Sequence, residues 1–177
     1  MDRSLRRTFR SPALLALCLA VVPMTASGTE LEVGADAPRL VAVDQNGETV
    51  NFGDVYDQGY TLVYFYPKAD TPGCTKQACS LRDAYAELTE HGVHVIGVST
   101  DGVEAQKAFQ EKYELPFTLV ADPEKKVLAA FGVPDRGGFA SRQAYLIKDG
   151  KLVWRDTTAS TVEQAVDVLA AIRALGD

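Results

Sequence analysis

Thr61-Leu62-Val63-Tyr64-Phe65-Tyr66 is an unbroken apolar and aromatic run, closed by Pro67. A strand with one wet face alternates apolar and polar residues, whereas a continuous run has no wet face and needs cover on both sides. The chain must therefore place other elements above and below this strand. Val93 to Val98 has the same character. Between the two, Ala78, Leu81, Tyr85 and Leu88 recur at helical spacing as far as His91-Gly92. One amphipathic helix is predicted there, with the glycine supplying its left-handed cap.

The flanking segments extend this alternation. Leu40 to Val43 and Thr49 to Phe52 surround Asn46-Gly47, a pair suited to a tight hairpin turn. Val103 to Tyr113 reads as a helix with Ala105 and Phe109 inward, Phe117 to Val120 as a strand, and Lys125 to Phe131 as a short helix. Asp149-Gly150 turns a hairpin between Gln143–Ile147 and Leu152–Arg155. A last helix is predicted from the capping-box pair Ser160 and Glu163, with Val162, Ala165, Val166, Leu169 and Ile172 as its apolar stripe. Strands alternating with helices, then a hairpin and a terminal helix, indicate an α/β fold. The natural candidate is a thioredoxin-like three-layer sandwich with a mixed central sheet, an architecture that hosts many activities and fixes none.

The first residues read differently. Arg3, Arg6, Arg7 and Arg10 form a basic region, Ala13 to Val22 an apolar run, and Ala26, Ser27 and Gly28 supply small residues after it. This is the pattern of a cleavable signal peptide over residues 1–28, followed by a single domain over 29–177. Pro23 ends the apolar run short of the roughly 20 residues that a spanning helix needs, so no stable membrane association is expected. Arg6-Arg7 also resembles the twin-arginine export signal, although Leu5 and Arg10 depart from its usual flanks. The expected location is outside the cytoplasm, in the periplasm. The four leader arginines and Asp2 contribute +3 to a net charge of −6, so the remainder carries −9. Such an acidic body repels phosphate backbones and excludes nucleic acid as a partner.

Beyond the leader two cysteines remain, Cys74 and Cys79, within Pro67-Lys68-Ala69-Asp70-Thr71-Pro72-Gly73-Cys74-Thr75-Lys76-Gln77-Ala78-Cys79. Thr71 is a favourable N-cap and Pro72 a favourable first helical residue, which sets Cys74 in the first turn. Free backbone N–H groups and the helix dipole stabilise a thiolate there, making Cys74 a candidate nucleophile. Two other readings compete: a small apolar core residue, and one half of a structural disulfide. Five residues of α-helix hold two Cα atoms roughly 8–9 Å apart, while a disulfide tolerates no more than about 7 Å. Either the helix is absent between the cysteines or it opens when they bond. A zinc site built from both cysteines with His91 and His94 has no common ligand spacing. Neither metal nor cofactor is expected.

Pro67-x-x-x-Thr71-x-x-Cys74 resembles the active-site signature of the peroxiredoxins. Cys79, with Tyr64-Phe65-Tyr66-Pro67-Lys68 and Thr71-Pro72-Gly73-Cys74-Thr75, is similar to the bacterioferritin comigratory protein, or peroxiredoxin Q, subgroup. Arg142-Gln143-Ala144-Tyr145-Leu146-Ile147 resembles that subgroup's arginine-bearing strand, and the likeness runs from about Leu31 through the terminal helix. The resemblance implies a thiol-dependent peroxidase in antioxidant defence. Cys74 would attack hydrogen peroxide or an organic hydroperoxide, and Cys79 would resolve the resulting sulfenic acid as a disulfide. Thr71 and Arg142 would place and polarise the peroxide, and Pro67 would shield the sulfur. The partner implied is thioredoxin or an exported thioredoxin-like reductant. A thiol–disulfide oxidoreductase on the same fold is the alternative, but it would carry Cys-x-x-Cys, and here four residues separate the cysteines.

Overall fold

The computed structural model describes residues 30–176. The expected leader lies outside the described residues. The elements are β1 Val41–Asp44, β2 Thr49–Asn51, α1 Phe52–Tyr56, β3 Tyr60–Phe65, α2 Pro72–Asp83, α3 Tyr85–Glu90, β4 Val93–Ser99 and α4 Val103–Tyr113. They continue with β5 Thr118–Ala121, α5 Lys126–Phe131, β6 Asp135–Arg136, β7 Phe139–Ala140, β8 Gln143–Lys148, β9 Lys151–Asp156 and α6 Gln164–Leu175.

Seven strands form one sheet in the order β2-β1-β5-β4-β3-β8-β9, while β6 and β7 make a separate hairpin. β3 runs parallel to β4 and β4 to β5, whereas β8 pairs antiparallel with β3, so the sheet is mixed. The two faces of β3 explain its continuous apolar run. Leu62, Tyr64 and Tyr66 enter a core covered by α2, α3, α4 and α6. Val63 and Phe65 enter a second core beneath α1 and α5, with Phe52, Tyr56 and Phe131. The result is the expected three-layer thioredoxin-like sandwich. Among the described residues, no helix is long and apolar enough to cross a membrane.

Several expectations need correction. The helix predicted as far as His91 is two helices, because Ala84 leaves helical geometry at φ −96°, ψ 8°. The side chain of Arg82 donates to the Tyr113 carbonyl at 2.8 Å and so ties the end of α2 to α4. The apolar spacing runs on through the bend, since Leu81 and Leu88 are both fully buried. On α4 the inward residues are Gln106 and Phe109, and Ala105 is exposed. The Gln106 amide donates to Ser99 Oγ at 2.9 Å and the Val120 carbonyl at 2.8 Å, and it accepts from Tyr66, so burial leaves none of its polarity unpaired.

The terminal helix starts at Gln164, later than the capping pair suggested. Ser160 Oγ accepts from the backbone N–H groups of Val162 and Glu163 at 3.2 and 3.0 Å, which makes a turn ahead of the helix. Val162 and Val166 are 60% and 63% exposed, and Val168 and Ala171 take their places in the core. The short α1 and the β6–β7 hairpin, both too brief to show a period, have no counterpart in the sequence reading.

Candidate active site

The loop from Pro67 to Thr71 joins the end of β3 to α2 and is held at successive residues. The Ala69 N–H donates to Asp101 Oδ2 at 2.8 Å, and Ser99 Oγ donates to the same oxygen at 2.7 Å. Asp70 takes a left-handed backbone at φ 56°, a conformation that aspartate tolerates better than most residues. Its carboxylate accepts from Lys112 Nζ at 2.8–2.9 Å and from the Tyr113 hydroxyl at 2.6 Å. These hydrogen bonds, Lys112 first and then Tyr113, hold the Asp70 carboxyl below its ordinary range. The loop is thereby latched to the end of α4.

Thr71 has the extended backbone of an N-cap, but its hydroxyl turns back to donate to the Lys68 carbonyl at 2.9 Å. The expected side-chain cap is absent because that hydroxyl closes the loop instead. Pro72 is the first helical residue, as the sequence predicted. Cys74 follows two residues later, only 2% exposed, and Cys79 lies further along the same helix, half-buried. Both are free thiols on an uninterrupted α2.

Arg142 immediately precedes β8 and reaches across to α2. Its Nη2 donates to Cys74 Sγ at 3.4 Å, and its Nη1 donates to Gln77 Oε1. The structure thus brings Arg142 and Cys74 into contact across 68 residues of sequence. Room for the guanidinium comes from Gly73, where a Cβ would stand 3.3 Å from Arg142 Nη2 and 3.7 Å from Thr161 Cγ2. Beside the guanidinium lies a cavity of about 340 Å³ lined by Pro67, Arg136, Phe139, Ala140, Ser141, Arg142 and Thr157. Tyr64 and Tyr66 stack at 5.5 Å in the core that contains Cys74. Burial, above every other cause, raises both phenols far above the tyrosine range, so they stay neutral.

Gly73, Gln77, Gln164 and Asp70 belong to this arrangement and were not singled out from the sequence. Asp70 left a trace there, as a residue able to take a left-handed turn between Lys68 and Thr71. The partners of Gln77 are separated from it by 65 and 87 residues, beyond any local pattern. Among the described residues, no group of three or more His, Cys, Asp or Glu side chains is disposed to hold a metal.

The sequence pattern of the AhpC/TSA family matches residues 33–155. The peroxiredoxin bcp of Coxiella burnetii is 37% identical over 139 residues, which are 78% of this chain and 91% of that one. Peroxiredoxin Bcp of Escherichia coli is 52% identical over 103 residues, 58% of this chain and 65% of that one. The chloroplastic peroxiredoxin Q of Triticum aestivum is 39% identical over 146 residues, 78% of this chain and 66% of that one. In solved structures, peroxidoxin BcpB of Mycobacterium tuberculosis superposes with a TM-score of 0.78 at 31% identity, over 82% of this chain and 99% of that one. The bacterioferritin comigratory protein of Xanthomonas campestris does so at 0.74 and 26% identity, over 83% and 98%. The chain spans about two thirds or less of the plant and Escherichia coli relatives and nearly all of the Coxiella one. Family pattern, relatives and fold agree with the loop, helix and arginine just described: the chain belongs to the peroxiredoxins, in the bacterioferritin comigratory protein or peroxiredoxin Q subfamily, and is a thiol-dependent peroxidase.

Proposed function

We propose that Cys74 is the peroxidatic residue and Cys79 the resolving one. The observation that carries this reading is the 3.4 Å contact from Arg142 Nη2 to Cys74 Sγ in the first turn of α2. A fixed guanidinium stabilises the thiolate and then the negative charge that moves onto the leaving oxygen. The Cys74 thiolate attacks one peroxide oxygen, forming an S–O bond as the O–O bond breaks. The departing oxygen takes a proton and leaves as water or an alcohol. Cys79 then attacks the Cys74 sulfenic acid, forming the S–S bond and releasing water.

Thr71 and Arg142 hold the peroxide, and Pro67 shields the sulfur. The substrates are hydrogen peroxide and organic hydroperoxides, a range supported by the Xanthomonas campestris relative, which is described with alkyl peroxide reduction activity. A dithiol reductant of the thioredoxin kind, either thioredoxin or an exported thioredoxin-like protein, restores both thiols and takes up the disulfide. The basic and apolar pattern of residues 1–28 supports a mature enzyme that works in the periplasm.

The test is Cys74→Ser, assayed for peroxide consumption with a thioredoxin system. Loss of turnover with an unchanged fold is expected, and retained turnover overturns the assignment. N-terminal sequencing of the native protein tests export, with a mature end near Ser27 or Thr29 expected. A full-length form overturns it.

A further inference from the structure

We propose that Gln164, at the start of the terminal helix, is a positioning residue for the peroxide step and holds Arg142 through Gln77. The inference rests on the reading that Arg142 acts at Cys74. A guanidinium can only donate hydrogen bonds. Because Arg142 Nη1 donates to Gln77 Oε1, the Gln77 amide has its oxygen toward the arginine and its nitrogen away from it. That nitrogen donates to Gln164 Oε1. The relay is directional, and it closes only if position 164 presents an acceptor.

Burial makes the relay a constraint. Gln77 is 0% exposed and Gln164 1% exposed, so water does not replace either partner. Without an acceptor at 164, the Gln77 N–H is left unpaired in the core, and the amide gains by rotating away from Arg142. Among the described residues, the guanidinium then keeps only its bond to the sulfur. Supporting contacts press the same turn onto α2, with Ser80 Oγ donating to the Val162 carbonyl at 3.1 Å and Thr161 close to Gly73. Gln164, at the start of α6, thus aligns through Gln77 a charge that touches the reacting sulfur.

Gln77 sits between Cys74 and Cys79 on α2. When that segment opens to form the disulfide, the relay is broken and cannot contribute to the reductive half of the cycle. A positioning role therefore affects one half-reaction only.

The experiment measures both half-reactions in single-turnover stopped flow: oxidation of the reduced enzyme by hydrogen peroxide, and reduction of its disulfide by thioredoxin. Gln164→Leu is expected to slow oxidation about tenfold or more, the usual scale for a hydrogen bond to a charged group, and to leave reduction unchanged. Gln164→Glu, which keeps an acceptor oxygen, restores most of the rate. In an Arg142→Ala background, Gln164→Leu adds no further loss. If Gln164→Leu does not fold, Gln164→Met keeps the length, lacks the oxygen and carries the same cycle. Equal slowing of both half-reactions, additivity with Arg142→Ala, or no rescue by Gln164→Glu overturns the inference. If Arg142→Ala itself leaves oxidation unchanged, the role of Arg142 falls, and the relay with it.

Discussion

Closing a Cys74–Cys79 disulfide should unwind α2 between the two cysteines. On a regular helix their Cα atoms stand roughly 8–9 Å apart, beyond the roughly 7 Å that a disulfide allows. The cost follows from what the turn buries. Ala78 and Leu81 are fully buried, and Gln77 is bonded to both Arg142 and Gln164. Re-exposing a leucine costs about 1.5–3 kcal/mol, and each net hydrogen bond released about 1 kcal/mol. The opening therefore costs roughly 3–5 kcal/mol in the reduced protein, where no new bond offsets it. At about 1.4 kcal/mol per factor of ten, the amides from Thr75 to Leu81 should exchange on the order of 10²- to 10³-fold faster once the disulfide forms. Hydrogen exchange by mass spectrometry on reduced and oxidised protein reads this directly, with β3 and β8 as unchanged internal references. Equal exchange in the two redox states, or a structure of the oxidised form with α2 intact, would refute the reasoning.

Other perturbations separate stability from chemistry. Gly73→Ala adds a Cβ 3.3 Å from Arg142 Nη2 while gaining about 1 kcal/mol of helix propensity; unfolding temperature should stay level or rise while peroxide oxidation slows severalfold, and unchanged oxidation would show that Arg142 tolerates displacement. Cys79→Ser should stop at the Cys74 sulfenic acid and overoxidise under excess peroxide, as followed by intact mass, and normal cycling with a protein dithiol would remove Cys79 from the mechanism. Asp70 has a depressed carboxyl pKa, so its latch stabilises the fold fully above the unfolded value of about 3.9 and is lost as pH falls through the lower folded value. The difference in unfolding temperature between the native protein and Asp70→Asn, small because the pair is exposed, should narrow below about pH 4; a difference independent of pH would show that the Lys112 pairing is not its source.

The layers of the fold were legible because β3 cannot be half-wet: all six of its residues are buried, five of them divided between two cores, and that need shows in the sequence as an unbroken run. The start of α2 was equally legible, since Thr71 as N-cap residue, Pro72 as first helical residue and Cys74 in the first turn follow from local backbone preferences, although the Thr71 hydroxyl closes the loop and does not cap the helix. What escaped was set by contacts between distant segments. The bend at Ala84 preserves the apolar spacing on both sides, so periodicity could not reveal it. Gln106 and Gln164 are buried polar residues, and sequence patterns assign such residues to the surface; only their partners, Ser99, Val120 and Gln77, account for their burial. Val162 and Val166 are the converse case, apolar residues left at the surface: Val162 lies in the turn ahead of α6, and Val166 is on the side of α6 turned away from the core. The contact between Arg142 and Cys74 was expected from family likeness, and no local pattern would have supplied it.

The interruption at Ala84 sets a boundary to melting. Helix unwinding is cooperative, so in one continuous helix from Pro72 to Glu90 a disruption near Cys79 would tend to spread along the whole rod. Here the rod is already divided, and α3 is anchored separately by Leu88 in the core and by Tyr85, whose ring lies 6.1 Å from that of Phe117. The break would act as a firebreak: under the proposed cycle α2 would dissolve and re-form while α3 keeps its grip on the sheet, and the disturbance would stay local in a domain that remains folded.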